Sequence, residues 1–227
     1  PKDVTYKAEL ISPASDRQVQ RALPSADEVM VLETPEMYSQ VTLPHITNLL
    51  ESGSTSWIQN ILDGSKEKER MLLDHDDFIL NVDTKWRSHP DAAEAPRSEW
   101  FEHESTKDLY CFAIVKDTAL RSLRDVRRKH VQLLREMEQK GVETIGDVYG
   151  VAPQHLRVFV HYHPQFYHFH IHFTRLDNEI GCLVERGHLI SDIVQNLELE
   201  SMYYAKRNIA TKLKTSSELY QRFGPYL

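Results

Sequence analysis

Apolar residues first recur at helical spacing from Leu49, where Ile58, Ile61 and Leu62 lead toward Met71 and Leu72. A short apolar run from Phe78 to Val82 reads as a strand. The polar stretch Arg87 to Glu104, with Pro90 and Pro96 inside it, reads as a loop. Leu109 to Val115 predicts a buried strand. Val126, Leu133, Leu134 and Met137 then predict a helix that stops near Gly141. Two strands follow, Leu156 to Tyr162 and Tyr167 to Leu176, joined by a turn at His163-Pro164-Gln165. His188 to Leu199 predicts a helix, Met202 to Ala210 a strand, and the C-terminus a short helix. Strands and helices mixed in this way predict an α+β fold with an antiparallel sheet. The first ~45 residues are broken by Pro13, Pro24, Pro35 and Pro44, and read as the tail of an N-terminal module followed by a connector.

Composition narrows the possible roles. With 41% hydrophobic and 27% charged residues, the 227-residue chain reads as globular and soluble. A net charge of −7 argues against a protein that tracks a long nucleic acid, which needs a broad cationic surface, but leaves room for a small anionic ligand. The basic stretch Arg121 to Lys129 is interrupted by Asp125 and reads as a solvated helix start. Two distant cysteines, Cys111 and Cys182, suit a reducing compartment, and no run predicts a membrane span or a signal peptide. The chain opens on Pro1 rather than Met, which fits a processed or trimmed fragment.

The chemistry concentrates in one hairpin. Of twelve histidines, His161 falls on its first strand and His168, His170 and His172 alternate along the second. Alternate residues of a strand share a face, so these three rings are expected to point one way and Phe169, Ile171 and Phe173 the other, into the core. Three readings compete. The rings could be ordinary polar positions of a solvated strand. They could hold a metal, since neutral imidazoles bind zinc, although the hairpin offers no carboxylate or cysteine to complete the shell. They could also serve nucleophilic catalysis: a neutral imidazole attacks phosphorus, best when its other nitrogen donates to a carbonyl, while flanking rings bind phosphate oxygens.

His168-Phe169-His170-Ile171-His172-Phe173-Thr174 resembles the signature of the histidine-triad superfamily, in which the middle histidine, here His170, is the nucleophile. Further segments resemble scavenger mRNA decapping enzymes: Val41 to His45, Trp57 to Asp63, Val82 to Trp86, Arg121 to Asp125, Leu156 to Tyr162 and Val184 to Leu189. The resemblance implies hydrolysis of the 5′-5′ triphosphate of short capped RNA remnants to 7-methylguanosine monophosphate and a diphosphate-ended nucleotide. The route is a nucleotidyl-histidine formed during 3′-to-5′ mRNA decay. It implies His168, His172 and His161 as ring-orienting and phosphate-binding groups, and Trp57, Glu67, Asp83 and Lys85 as the cap pocket. Arg186, Gln165 and Arg21 would meet phosphate. No metal or other cofactor is expected. A stacking role for Trp57 suits the ligand, because methylated guanine is a delocalised cation that an aromatic face attracts.

The resemblance also implies a homodimer, acting in cytoplasm and nucleus, with a histidine-triad catalytic domain over residues 36–227. Residues 1–35 would be the remnant of a domain-swapped N-terminal lid and the start of its hinge. Two departures stand out. Gln165-Phe166 occupies the place of the family's usual Ser-Tyr, and the N-terminal region is shorter than the family's. Two alternatives remain open: a general histidine-triad nucleotide hydrolase acting on phosphoramidates or dinucleoside polyphosphates, and a cap-binding sensor without turnover.

Overall fold

The chain's alternating segments assemble around a six-stranded sheet in the computed structural model, which describes residues 27–227. Glu28–Glu33 forms β1. A helical turn at Pro35–Met37, capped by the Thr34 hydroxyl 3.1 Å from the Met37 amide, passes through a π-helical turn into α1 (Leu43–Glu51). Next come α2 (Ser56–Leu62), β2 (Met71–Asp74), β3 (Phe78–Val82) and, after a long loop, β4 (Tyr110–Val115). The central helix α3 (Val131–Tyr149) precedes β5 (Leu156–His161), β6 (His170–Arg175) and β7 (Gly187–Leu189). The chain then runs through α4 (Ile190–Leu199), α5 (Tyr203–Lys206), β8 (Ile209–Lys214) and α6 (Glu218–Phe223). The fold is α+β, and its sheet is antiparallel throughout, in the order β2-β3-β4-β6-β5-β7.

The two faces of this sheet do different work. Leu80, Ala113, Ile171 and Phe173 point to one side and bury against Leu134, Met137 and Ile145 of α3. On the other side Ile79, Phe112 and Ile114 meet Ile58 and Ile61 of α2. In register with these last, His170 faces Ile114 and His172 faces Phe112 across the β4–β6 ladder. The imidazoles therefore sit on the thinly covered face, and α2 supplies one wall beside them. β1 and β8 form a separate antiparallel ribbon that packs on Met37, Val41, Leu219 and Phe223. Among the described residues no helix is long and apolar enough to cross a membrane.

Several expected elements shift. The single helix predicted from Leu49 to Leu72 is two short helices followed by a strand, because Gly53 and Gly64 adopt left-handed conformations and Met71 pairs with Asn81. Gly141 does not end its helix. It lies inside α3, where a Cβ would stand 2.2 Å from the Phe173 ring, and the stop is Gly150 at φ 69°. Met202 to Ala210, predicted as a strand, begins with the short helix α5, and the strand starts only at Ile209. Pro35 and Pro44 do not break structure but occupy the first turns of helices, where the missing amide costs nothing. Arg124, expected in a solvated helix start, is 1% exposed and ion-paired with Glu33 of β1.

Candidate active site

Each ring of the hairpin is held by a backbone carbonyl or by another ring. His170 Nδ1 donates to the carbonyl of His168, two residues back in the chain, at 2.7 Å. A carbonyl only accepts, so the proton resides on Nδ1 and the Nε2 lone pair is left for chemistry. Burial, partly opposed by that hydrogen bond, lowers the pKa of His170 to about 3. His161 Nε2 donates to the Gly181 carbonyl at 2.7 Å, and burial lowers its pKa to about 4. His172 stands between them, its ring centre 4.8 Å from that of His170 and 4.4 Å from that of His161. Neither of its nitrogens has a hydrogen-bond partner among the described residues, and burial drives its pKa well down.

His168 departs from the expected alternation. β6 begins only at His170, so the strand geometry that would align the three rings does not reach it. Its Nε2 donates instead to the carbonyl of Val115 at 2.7 Å, and its ring does not line the cleft. What it offers the centre is its own carbonyl, which fixes the tautomer of His170.

A cleft of about 700 Å³ opens over these rings. Trp57, the second residue of α2, is 39% exposed on its wall. Phe166 links this indole to the imidazoles, meeting Trp57 edge-to-face at 4.9 Å and stacking on His170 at 4.2 Å. Glu67 enters the cleft from a left-handed position (φ 55°), and burial raises its pKa. Asp83 follows β3 and accepts the Lys85 amide at 2.8 Å, while the Lys85 ammonium sits 3.6 Å from its other oxygen. Arg186, reaching in from before β7, donates to the His163 carbonyl at 2.9 Å, and Gln165 completes the rim. One cleft thus combines an exposed indole and two carboxylates with an unprotonated imidazole, a lysine and an arginine. The first group suits a flat cation and the second suits phosphates.

The structure brings together His161, His170, His172, Trp57, Glu67, Asp83, Lys85, Gln165 and Arg186. Arg21 lies outside the described residues. Phe166 and Tyr110 line the same cleft but were not singled out for a role by the sequence. Phe166 stands beside the triad, and an aromatic so close to a run of alternating histidines is the signal that could have marked it. Tyr110 is hidden in the apolar run of β4. Among the described residues no three His, Cys, Asp or Glu side chains converge as a metal-ligand set.

The family described as scavenger mRNA decapping enzyme C-term binding matches residues 56–188. The m7GpppX diphosphatase of Homo sapiens is 34% identical over 218 residues, which are 94% of this chain and 59% of that protein. That of Schizosaccharomyces pombe is 34% identical over 199 residues, 85% of this chain and 60% of the other. The chain therefore spans about three fifths of these relatives' length. Among solved structures, the aprataxin ortholog Hnt3 from Schizosaccharomyces pombe is similar at a TM-score of 0.36 and 14% identity, over 63% of this chain and 76% of that one. That likeness is too low to carry an argument.

Proposed function

The chain belongs to the family of scavenger mRNA decapping enzymes, and from that premise we propose that it hydrolyses the 5′-5′ triphosphate of short capped RNA remnants. Products are 7-methylguanosine monophosphate and a diphosphate-ended nucleotide. His170 Nε2 attacks the phosphorus next to 7-methylguanosine. A P–N bond forms as the P–O bond to the diphosphate breaks, and that end leaves with its electron pair. Water then cleaves the P–N bond and returns the imidazole. His172, Lys85 and Arg186 meet the phosphate oxygens, with Gln165 at the rim and His161 orienting the His172 ring beside it, while Trp57, Glu67 and Asp83 hold the methylated base. The observation that carries this reading is the hydrogen bond from His170 Nδ1 to the His168 carbonyl, which leaves the lone pair on Nε2. The test is the product pair released from m7GpppG: a mixture lacking the monophosphate of the methylated base would sink the reading.

Trp57 discriminates this reading from that of a general nucleotide hydrolase. An exposed indole beside two carboxylates is of little use to a neutral base but attracts a cationic one. Trp57→Ala is expected to weaken m7GpppG binding roughly five- to thirtyfold, the equivalent of about 1–2 kcal/mol, and GpppG binding much less. Titration of both ligands checks it, and equal losses would reduce Trp57 to a packing residue.

The proposed assembly is a homodimer of histidine-triad domains, residues 36–227, with residues 1–35 as the remnant of a swapped lid and the start of its hinge. A closed lid would exclude water and favour short substrates. Removing residues 1–26 is expected to weaken the dimer in sedimentation and to narrow the gap between short and long capped RNA. An equally tight, equally selective truncated chain overturns the lid. Cytoplasm and nucleus are the proposed locations, open to a test by imaging the tagged chain.

A further inference from the structure

The cleft holds a phenol that this scheme does not use. Tyr110 opens β4, and the two-residue period of the strand puts it on the same face as Phe112 and Ile114. Its ring packs edge-on against His172, with centres 5.5 Å apart. Its hydroxyl oxygen lies 3.2 Å from the point where a Cβ on Gly181 would stand, and His161 Nε2 lies 3.2 Å from that same point. The hydroxyl and the His161 imidazole therefore meet over one small patch of wall, next to His172.

The hydroxyl is also half-used. Its lone pair accepts a hydrogen bond from the Lys85 ammonium at 3.4 Å, and that ammonium lies 4.8 Å from the centre of the Tyr110 ring. An ammonium cannot accept in return, so the phenolic proton needs another acceptor, and none stands within reach among the described residues. Burial, with the Asp83 charge, pushes the phenol's pKa well up, so it stays a donor at any working pH. Among the residues lining the cleft only Tyr110 and Thr84 carry hydroxyls, and Phe166, stacked on His170, carries none.

We propose that the Tyr110 hydroxyl is a phosphate-contacting group of this site, donating to a non-bridging oxygen of the triphosphate while Lys85, seated on its lone pair, faces the same oxygens. This inference rests on the cleft being the phosphate-transfer site proposed above. A neutral O–H donor beside an ammonium adds hydrogen bonding without adding charge that would penalise the neutral His170.

The test is Tyr110→Phe, which removes one oxygen and keeps the ring against His172. Binding is measured with 7-methylguanosine and 7-methylguanosine diphosphate, alongside guanosine and guanosine diphosphate. The variant is expected to bind both diphosphates about ten- to a hundredfold more weakly, and both nucleosides within about twofold of the unaltered chain. kcat/KM for m7GpppG should fall by a similar factor. Equal changes for nucleoside and diphosphate, or no change for either, overturn the inference. If the unaltered chain binds methylated and unmethylated ligands alike, the cap reading fails. The guanosine pair still decides the role of Tyr110.

Discussion

His170→Asn is expected to bind m7GpppG about as tightly as the unaltered chain and to turn it over at least roughly 10⁴-fold more slowly. The amide fills a similar volume and can still donate to the His168 carbonyl, so the cleft is preserved. What disappears is the lone pair on Nε2, for which no other group in the cleft substitutes. His161 Nε2 is committed to the Gly181 carbonyl, and His172 lies one ring further from Phe166 and the base wall. Substantial turnover by a clean preparation of this variant would end the assignment. The pH dependence follows with its sign. Protonation removes the nucleophile, and burial lowers the His170 pKa from its ordinary 6.5 to about 3. Loss of the nucleophile is therefore expected only as pH falls toward that value, not between pH 7 and 5. A kcat/KM profile, which reports the free enzyme, whose acid limb breaks near 6.5 and follows His170 would contradict this burial argument.

The triad was legible because strand period and residue type coincide there: three histidines alternate with three apolar residues, and the strand pairs with β5 as the hairpin reading expects. Trp57 was legible only through its order relative to the other segments. On pattern alone it opens an amphipathic helix and would be assigned to the core, whereas the first turn of α2 exposes it to the cleft. Three features were not legible. His168 leaves the common face because the strand starts at His170, three residues later than predicted, and strand ends are set by tertiary pairing rather than by side-chain alternation. Gly141 resembles a helix stop because sequence does not reveal that Phe173 presses on the helix at that turn. Tyr110 is indistinguishable from its apolar neighbours until the fold sets Lys85 and Gly181 beside its hydroxyl and His172 against its ring.

Arg124 is the fourth case, and its removal should have the largest effect on stability. Read from sequence it is one of several arginines near Asp125. In the fold it is buried with Glu33, both side chains fully shielded, its Nη2 2.7 Å and its Nε 3.0 Å from the same carboxylate oxygen. The remaining guanidinium nitrogen donates to the carbonyls of Tyr204 and Arg207 at 2.9 and 2.6 Å. One side chain thus ties the β1–β8 ribbon, the segment after α5 and the sheet together. Arg124→Met leaves Glu33 buried with only Thr42, Tyr162 and the more distant His163 near it among the described residues, and should cost about 3–5 kcal/mol. The surface pair Arg135–Glu198 is as short at 2.6 Å, but its side chains are 52% and 44% exposed, so Arg135→Met should cost under about 1 kcal/mol. Denaturant unfolding of the two variants decides whether burial or distance governs. Replacing Glu33 as well, in Glu33→Gln/Arg124→Met, should recover part of the loss because no unpaired charge is left behind. His163, 3.4 Å from Glu33, also receives Arg186 on its carbonyl, so strain at the pair has a short route to the cleft. If Arg124→Met unfolds at the same denaturant concentration as Arg135→Met, the ion pair is not what fastens the ribbon to the catalytic sheet.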